Sequence, residues 1–280
     1  MTTLIEGKTV AQKIFDNLAH EISLLDKKPS LAVIIVGDDP ASKIYVNLKK
    51  KKAHELGITS QVIELDESVS EQELLEKIDS LNNDPAVNAI LVQMPLPEHI
   101  NSVNVIEKIN PLKDVDCFHP YNIGRITTGN KSYVYPCTPK GIFRLLDFYN
   151  IPVEGKHAVV VGRSNIVGRP LAQMLLNENA TVTICHSRTK NLSEITKTAD
   201  ILISAAGSPA LIKKDMVKDG AVVIDVGINR KSDGKLCGDV DFESVEPVAS
   251  AITPVPGGVG PMTIAMLMNN CVEAKGIQEA

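Results

Sequence analysis

The stretch VVVGRSNIVGRP, Val159 to Pro170, takes an apolar, β-branched run into Gly162, a short polar turn, Gly168 and a proline suited to the first turn of a helix. A strand that ends in glycine and re-enters as a helix turns backbone N–H groups and the positive end of the helix dipole toward one point, where a pyrophosphate can bind. The letters depart from G-x-G-x-x-G. Ser164 holds the middle glycine position, Val167 the third, and Gly168 arrives one residue late. Alone, this variant fits either a dinucleotide site or an ordinary strand-to-helix turn.

The next strand narrows the choice. An NAD site places an Asp or Glu about 20 residues on, where it binds the ribose 2′-hydroxyl. Here TVTIC (181–185) runs into His186-Ser187-Arg188-Thr189, which holds no carboxylate. An acid would repel a 2′-phosphate, whereas Arg163, Ser187 and Arg188 can neutralise it and hydrogen-bond to it. The expected cofactor is therefore NADP rather than NAD.

Working outward, the same alternation continues. AVVVG (158–162), a helix over Pro170–Glu178, TVTIC, ILISAAG (201–207) and AVVIDVG (221–227) form one series. An earlier series comprises LAVIIVG (31–37), a helical stretch from Ala41 to Leu56, a strand over Gln61–Leu65, a helix opened by Ser70 with Glu73 as its capping-box partner, and AILVQ (89–93). Continuous apolar strands separated by helices signal βαβ crossovers and a buried parallel sheet. Between Asp114 and Pro139 no period is sustained, and this segment reads as a crossing between domains. The expected fold is α/β with two lobes: an N-terminal parallel-sheet catalytic lobe over 1–120 and a C-terminal Rossmann-type lobe over 140–262. The last helix, within 263–280, is expected to pack back on the first lobe.

The composition excludes several classes. With 280 residues, 22% charged and 44% hydrophobic, the chain fits a globular enzyme rather than a disordered one. A net charge of −5 gives no general pull toward nucleic acid or an anionic membrane. The opening MTTLIEGKTV lacks a basic stretch followed by an apolar one, and no run approaches the ~20 apolar residues that span a bilayer. The five cysteines (Cys117, Cys137, Cys185, Cys237 and Cys271) include no C-x-x-C pair, which fits a reducing compartment, the cytoplasm by default. No His/Cys/carboxylate set has metal-ligand spacing, so no metal is expected.

In the first lobe, Tyr45 and Lys49 stand four apart on one helix, so a phenol and an ammonium share a face. Y-x-x-x-K is also the pair of short-chain dehydrogenases, but there it follows the glycine loop rather than preceding it in another lobe. Lys49 opens a run of four lysines, and Lys52 falls on nearly the same face as Tyr45. Spacing alone leaves Lys49 and Lys52 both open.

Seven ordered segments then resemble one family. They are Tyr45…Lys49, Val92-Gln-Met-Pro-Leu-Pro97, Lys113-Asp-Val-Asp-Cys-Phe-His-Pro120, Pro136-Cys-Thr-Pro139, Gly162-Arg-Ser-Asn-Ile-Val-Gly-Arg-Pro170, Asp225-Val-Gly-Ile-Asn229 and Pro256-Gly-Gly-Val-Gly-Pro-Met-Thr263. Their order over nearly the whole chain is similar to that of the bifunctional methylenetetrahydrofolate dehydrogenase/methenyltetrahydrofolate cyclohydrolase family. The resemblance implies that Lys49 is the catalytic lysine, Gln93 its hydrogen-bond partner, Asp116 the pterin-binding carboxylate and Tyr45 a ring packed on the folate. It places Gly162, Arg163, Ser164, Ser187 and Ile228 in the NADP site, and implies a homodimer. One departure is Cys117, where the family has glycine; if that backbone needs a positive φ, cysteine adds strain beside Asp116. His119 and His186 are assigned no catalytic role.

The implied chemistry suits these residues. Hydride leaves a carbon flanked by two nitrogens whose lone pairs stabilise the resulting cation, so positioning can carry that step without a proton-abstracting pair. Hydrolysis of the methenyl carbon needs proton transfer. A lysine is a poor base at its ordinary pKa of about 10.4, but a cationic substrate and desolvation favour the free amine. A neutral glutamine can orient that amine without holding the proton on it as a carboxylate would. A monofunctional member, or a non-enzymatic NADP-binding sensor of the same fold, is the alternative reading.

Overall fold

The computed structural model describes residues 1–132, 134–230 and 234–279, with the backbone alone at Ala41. Ala280, the end of the expected final segment, lies outside them. The chain forms two compact units. The first comprises Ile14–Cys137 with Met266–Ala280, the second Met1–Lys13 with Thr138–Ala265.

The chain opens with β1 (Thr3–Leu4), α1 (Gly7–Ser23), β2 (Ser30–Val36), α2 (Pro40–Glu55) and β3 (Thr59–Leu65). Next come α3 (Glu71–Asn83), β4 (Ala89–Val92), α4 (Ser102–Lys108), α5 (Pro120–Thr127) and α6 (Cys137–Phe148). Then follow β5 (His157–Val161), α7 (Gly168–Asn177), β6 (Thr181–Cys185), α8 (Leu192–Thr196), β7 (Ile201–Ser204) and β8 (Val222–Asp225). The last elements are β9 (Asn229–Arg230), β10 (Leu236–Cys237), α9 (Phe242–Val245), β11 (Ala251–Ile252) and α10 (Val259–Glu279).

The first unit is built on a parallel sheet in the order β3-β2-β4. Six of the seven residues of β2 are buried, as a central strand covered on both faces requires. Asp39 starts α2 by accepting the Ser42 N–H at 2.7 Å, with Pro40 at a position that needs no donor. Ser70 and Glu73 start α3 as a reciprocal capping box. The α3 residues Leu74, Ile78 and Leu81 recur at helical spacing and bury against Ile34, Ile90 and Val92. Each such side chain contributes roughly 1.5–3 kcal/mol by leaving water.

The second unit is a six-stranded parallel sheet in the order β1-β11-β8-β7-β5-β6. Val159, Val161, Leu202, Val223 and Ile252 alternate along their strands and form one core face. The chain runs from β5 out to β6 and returns to β7 on the other side of β5. The sheet therefore changes direction between β5 and β7, and in such sheets ligands bind outside the carboxyl ends of the strands at that point.

Three details differ from expectation. The 114–139 segment contains a helix, α5, which His119 begins by accepting the Tyr121 N–H at Nδ1, 3.0 Å away, with Pro120 in its first turn. Its prolines and glycines mask a helix whose buried face is only Asn122 and Ile126. Residues 1–13 lie in the second unit rather than with the first lobe, because β1 extends the second sheet through Thr3↔Ala251 and Leu4↔Ile252. The final helix starts at Val259, ahead of the expected Thr263. From Met266 onward it belongs to the first unit, where the Asn270 amide donates to the Val115 and Tyr135 carbonyls at 2.8 Å each. Among the described residues, no helix is long and apolar enough to cross a membrane.

Candidate active site

In the first unit, α2 projects Lys49 toward the end of β4. The Lys49 ammonium donates to Gln93 Oε1 at 2.9 Å, and the Gln93 Nε2 donates to the Met94 carbonyl at 2.7 Å. The second bond uses the amide's NH₂, so its oxygen is the end that faces the lysine. Lys49 and Lys52 differ in their partners. Lys52 pairs with Glu55 and lies 4.4 Å from the Phe15 ring centroid. Tyr45 shares α2 with Ile44 and Leu48, and all three are exposed, at 45%, 58% and 47%. Large apolar side chains left in water on one helix give a surface on which a planar ligand can pack.

Asp116 lies on the loop after the buried Asp114, and half-buried. Burial raises its pKa to about 6, Asp114 adds to the rise, and the positive charge of Lys49 opposes it. The loop's shape comes from Asp114, which no sequence signal singles out beyond its place in the motif. Its carboxylate accepts the Phe118 and His119 N–H groups at 3.3 and 2.9 Å and the Asn122 amide at 3.1 Å. Cys117 sits in this loop with φ of 59°, the left-handed region. A residue with a Cβ costs about 1–2 kcal/mol there. Its side chain is fully buried, and its thiol donates to the Val134 carbonyl at 3.3 Å. Cysteine thus keeps the turn that glycine would make. Burial, and then the Asp114 charge, push the thiol well above its ordinary range.

In the second unit, the loops after β5, β6 and β8 leave the same edge of the parallel sheet. Gly162 has φ of 131°, and a Cβ there would lie 2.2 Å from the Ala205 carbonyl oxygen. A Cβ at Gly168 would lie 2.2 Å from the Gly162 carbonyl oxygen. The glycine that comes one residue late therefore performs the close helix-to-strand packing. Ser164 Oγ accepts the Val167 and Gly168 N–H groups at 3.2 and 3.3 Å, and so holds the turn that enters α7. After β6, His186 Nδ1 accepts the Arg188 N–H at 3.1 Å, and the His186 N–H donates to Thr189 Oγ1 at 2.8 Å. This turn leaves Ser187 and Arg188 exposed, and Arg163 and Ile228 are exposed as well. Backbone free of Cβ, exposed guanidinium groups and no acid after β6 suit a 2′-phosphorylated dinucleotide.

The Pro256–Pro261 loop has a structural use for its first two glycines: Gly257 has φ of 112°, and a Cβ on Gly258 would lie 2.6 Å from the Pro254 carbonyl oxygen. No set of three or more His, Cys, Asp or Glu among the described residues is placed to hold a metal ion.

Comparison with known proteins agrees with this geometry. Residues 5–116 match the model of the tetrahydrofolate dehydrogenase/cyclohydrolase catalytic domain, and residues 136–279 that of the family's NAD(P)-binding domain. The bifunctional protein FolD of Halalkalibacterium halodurans is 58% identical over 274 residues, covering 97% of this chain and 98% of that protein. The crystal structure of the bifunctional enzyme FolD, methylenetetrahydrofolate dehydrogenase/cyclohydrolase, from Campylobacter jejuni superposes with a TM-score of 0.97 at 52% identity, covering 99% of this chain and all of that one. The Trypanosoma brucei N5,N10-methylenetetrahydrofolate dehydrogenase-cyclohydrolase, solved with NADP cofactor and inhibitor, superposes at 0.95 with 39% identity, over 100% of this chain and 99% of that one. With both domain models matched and relatives above half identity along nearly its whole length, the chain belongs to the tetrahydrofolate dehydrogenase/cyclohydrolase family.

Proposed function

We propose that the enzyme oxidises 5,10-methylenetetrahydrofolate to 5,10-methenyltetrahydrofolate with NADP and hydrolyses that product to 10-formyltetrahydrofolate. The observation that carries the reading is the Lys49–Gln93 hydrogen bond at 2.9 Å, with the glutamine amide held by the Met94 carbonyl. Arg163, Ser187, Arg188, Ile228, Ser164 and Gly162 would hold NADP, whose chemistry when bound is to accept the hydride.

The first unit, with the end of the last helix, handles the folate. Tyr45 packs on its ring system, and Asp116 accepts paired hydrogen bonds from the 2-aminopyrimidinone edge. That role needs the ionised carboxylate, which the group's pKa of about 6 supplies at pH 7 and above. In the dehydrogenase step the chain's task is to bind and orient the methylene carbon. In the cyclohydrolase step Lys49 moves the proton: its free amine accepts one as water attacks the methenyl carbon and returns one to the departing ring nitrogen, and the water's second proton goes to solvent as the formyl C=O forms. Gln93 fixes the amine's direction while adding no negative charge that would hold it protonated.

The five cysteines, none of them in a C-x-x-C pair, support a cytoplasmic location. A homodimer is the expected assembly, the commonest symmetric form. The test is one assay that follows NADPH formation and methenyl absorbance together. Hydride transfer with transient or no methenyl accumulation is expected; NADPH formation with a stable methenyl product would remove the hydrolase half.

A further inference from the structure

We propose that Asp239 is a positioning residue for the NADP site. It fixes the loop after β7, which lies against the Gly162 turn, and the loop after β8, which carries Ile228. The inference rests on the reading of the second unit as the NADP-binding one.

The Asp239 carboxylate is fully buried, yet no lysine or arginine among the described residues bonds to it. It is satisfied by five neutral donors. One oxygen accepts Ser204 Oγ at 3.2 Å and the N–H groups of Ala206 and Gly207 at 2.7 and 3.1 Å. The other accepts the Ser208 N–H and the Asn229 side-chain amide, each at 2.9 Å. Three consecutive N–H groups converging on one anion make a nest, and the anion sets the loop's curvature. That loop follows β7. Its first residue, Ala205, is the one whose carbonyl occupies the space a Cβ on Gly162 would need. Asn229 follows Ile228 in the loop after β8. One carboxylate therefore holds the wall behind the glycine turn and the segment that presents Ile228.

A second buried acid holds the first. Asp225 ends β8 and accepts the N–H groups of Gly227, Asp239 and Val240 at 2.9, 2.9 and 2.8 Å. The fit leaves no slack. A Cβ on Gly227 would stand 2.2 Å from Asp239 Oδ1, and one on Gly238 would stand 1.8 Å from Asp225 Oδ2. Burying two acids together is costly unless their lone pairs find donors, and here most of the donors are backbone N–H groups of the loops after β7, β8 and β10. An apolar side chain could fill the same volume but could not orient those N–H groups.

The test is Asp239→Asn, which turns one acceptor oxygen into a donor facing donors. The expected result is a rise of about tenfold or more in the KM for NADP, from loss of charge-assisted bonds that shape the loop. The kcat at saturating NADP is expected to change by less than about threefold. Amide hydrogen exchange is expected to quicken at Ala206, Gly207 and Ser208, and not across the β-sheet cores. Asn229→Ala removes a single donor from a half-buried side chain and is the variant that decides the matter if Asp239→Asn does not fold; a rise of about threefold or more in the same KM is expected. An unchanged KM in a folded variant overturns the proposal, as does a loss spread evenly over kcat, both KM values and all core amides. Direct titration of the unaltered enzyme with NADPH separates the two layers. If that enzyme does not bind NADPH, the reading of the site falls along with this inference; if it binds and both variants bind equally well, this inference falls alone.

Discussion

Replacing Lys49 and Lys52 in turn by methionine separates two lysines that sequence spacing cannot. Methionine keeps most of the stem and removes only the charged nitrogen. At position 49 that nitrogen is the donor to Gln93 Oε1 at 2.9 Å, so the variant loses the group proposed to take a proton from the attacking water and return one to the departing ring nitrogen. General acid–base groups contribute about 10²–10⁴ in rate, or roughly 3–5 kcal/mol of barrier. The Lys49→Met cyclohydrolase rate should fall by that factor. At position 52 the nitrogen meets Glu55 and the Phe15 ring. An ion pair at that exposure adds little, and the ring contact is worth about 0.5–1 kcal/mol. Lys52→Met should therefore melt a few degrees lower at most and keep its cyclohydrolase rate within about twofold. The assay is the decay of added methenyltetrahydrofolate, read against the uncatalysed rate in the same buffer, with thermal unfolding measured on both variants. Equal losses in the two variants, or an unimpaired Lys49→Met, would refute the assignment.

Three further outcomes follow from particular contacts. Arg188→Ala should lower the preference for NADP over NAD by about tenfold or more, since an exposed guanidinium on the turn after β6 meets only the cofactor that carries a 2′-phosphate; kcat/KM for each cofactor measures it. Folate affinity should weaken as pH falls through about 6, because burial raises the Asp116 pKa to that value and the protonated acid cannot accept both pterin bonds. In Asp116→Asn the affinity should be low and flat across the same range, as folate titrations from pH 5 to 8 would show. Ser70→Ala removes the N-cap of α3 and should cost about 1 kcal/mol, a melting temperature lower by roughly 2–4 °C with kinetics unchanged.

What the sequence displayed, and what it hid, divides along the range of the interactions. The strand–glycine–helix turn at Val159–Pro170 was legible because its requirement is local: a strand end, glycines and a helix start. The late Gly168 looked like a flaw in the motif, and only contact with the Gly162 carbonyl shows it filling the third-glycine role. The capping box at Ser70 was legible for the same local reason. Lys49 could not be separated from Lys52 by periodicity, since the difference lies in Gln93 and Phe15, both distant in sequence. β1 is two residues long and carries no period; its pairing with β11, far along the chain, defines it. Asp239 gave no signal, and Asp114 none beyond its place in a motif, because an acid satisfied largely by backbone N–H groups has no partner residue type to look for. The positive φ of Cys117 could be anticipated only from the glycine that the resembling family places there.

The most direct measurement is steady-state turnover of 5,10-methylenetetrahydrofolate with NADP and, separately, with NAD, the folate product identified in each case. The account predicts a kcat/KM at least about tenfold higher with NADP, and 10-formyltetrahydrofolate as the final product. Equal efficiency with NAD would contradict the assigned roles of Arg163, Ser187 and Arg188, and a methenyl product that persists beyond its uncatalysed lifetime would contradict the role given to Lys49 and Gln93.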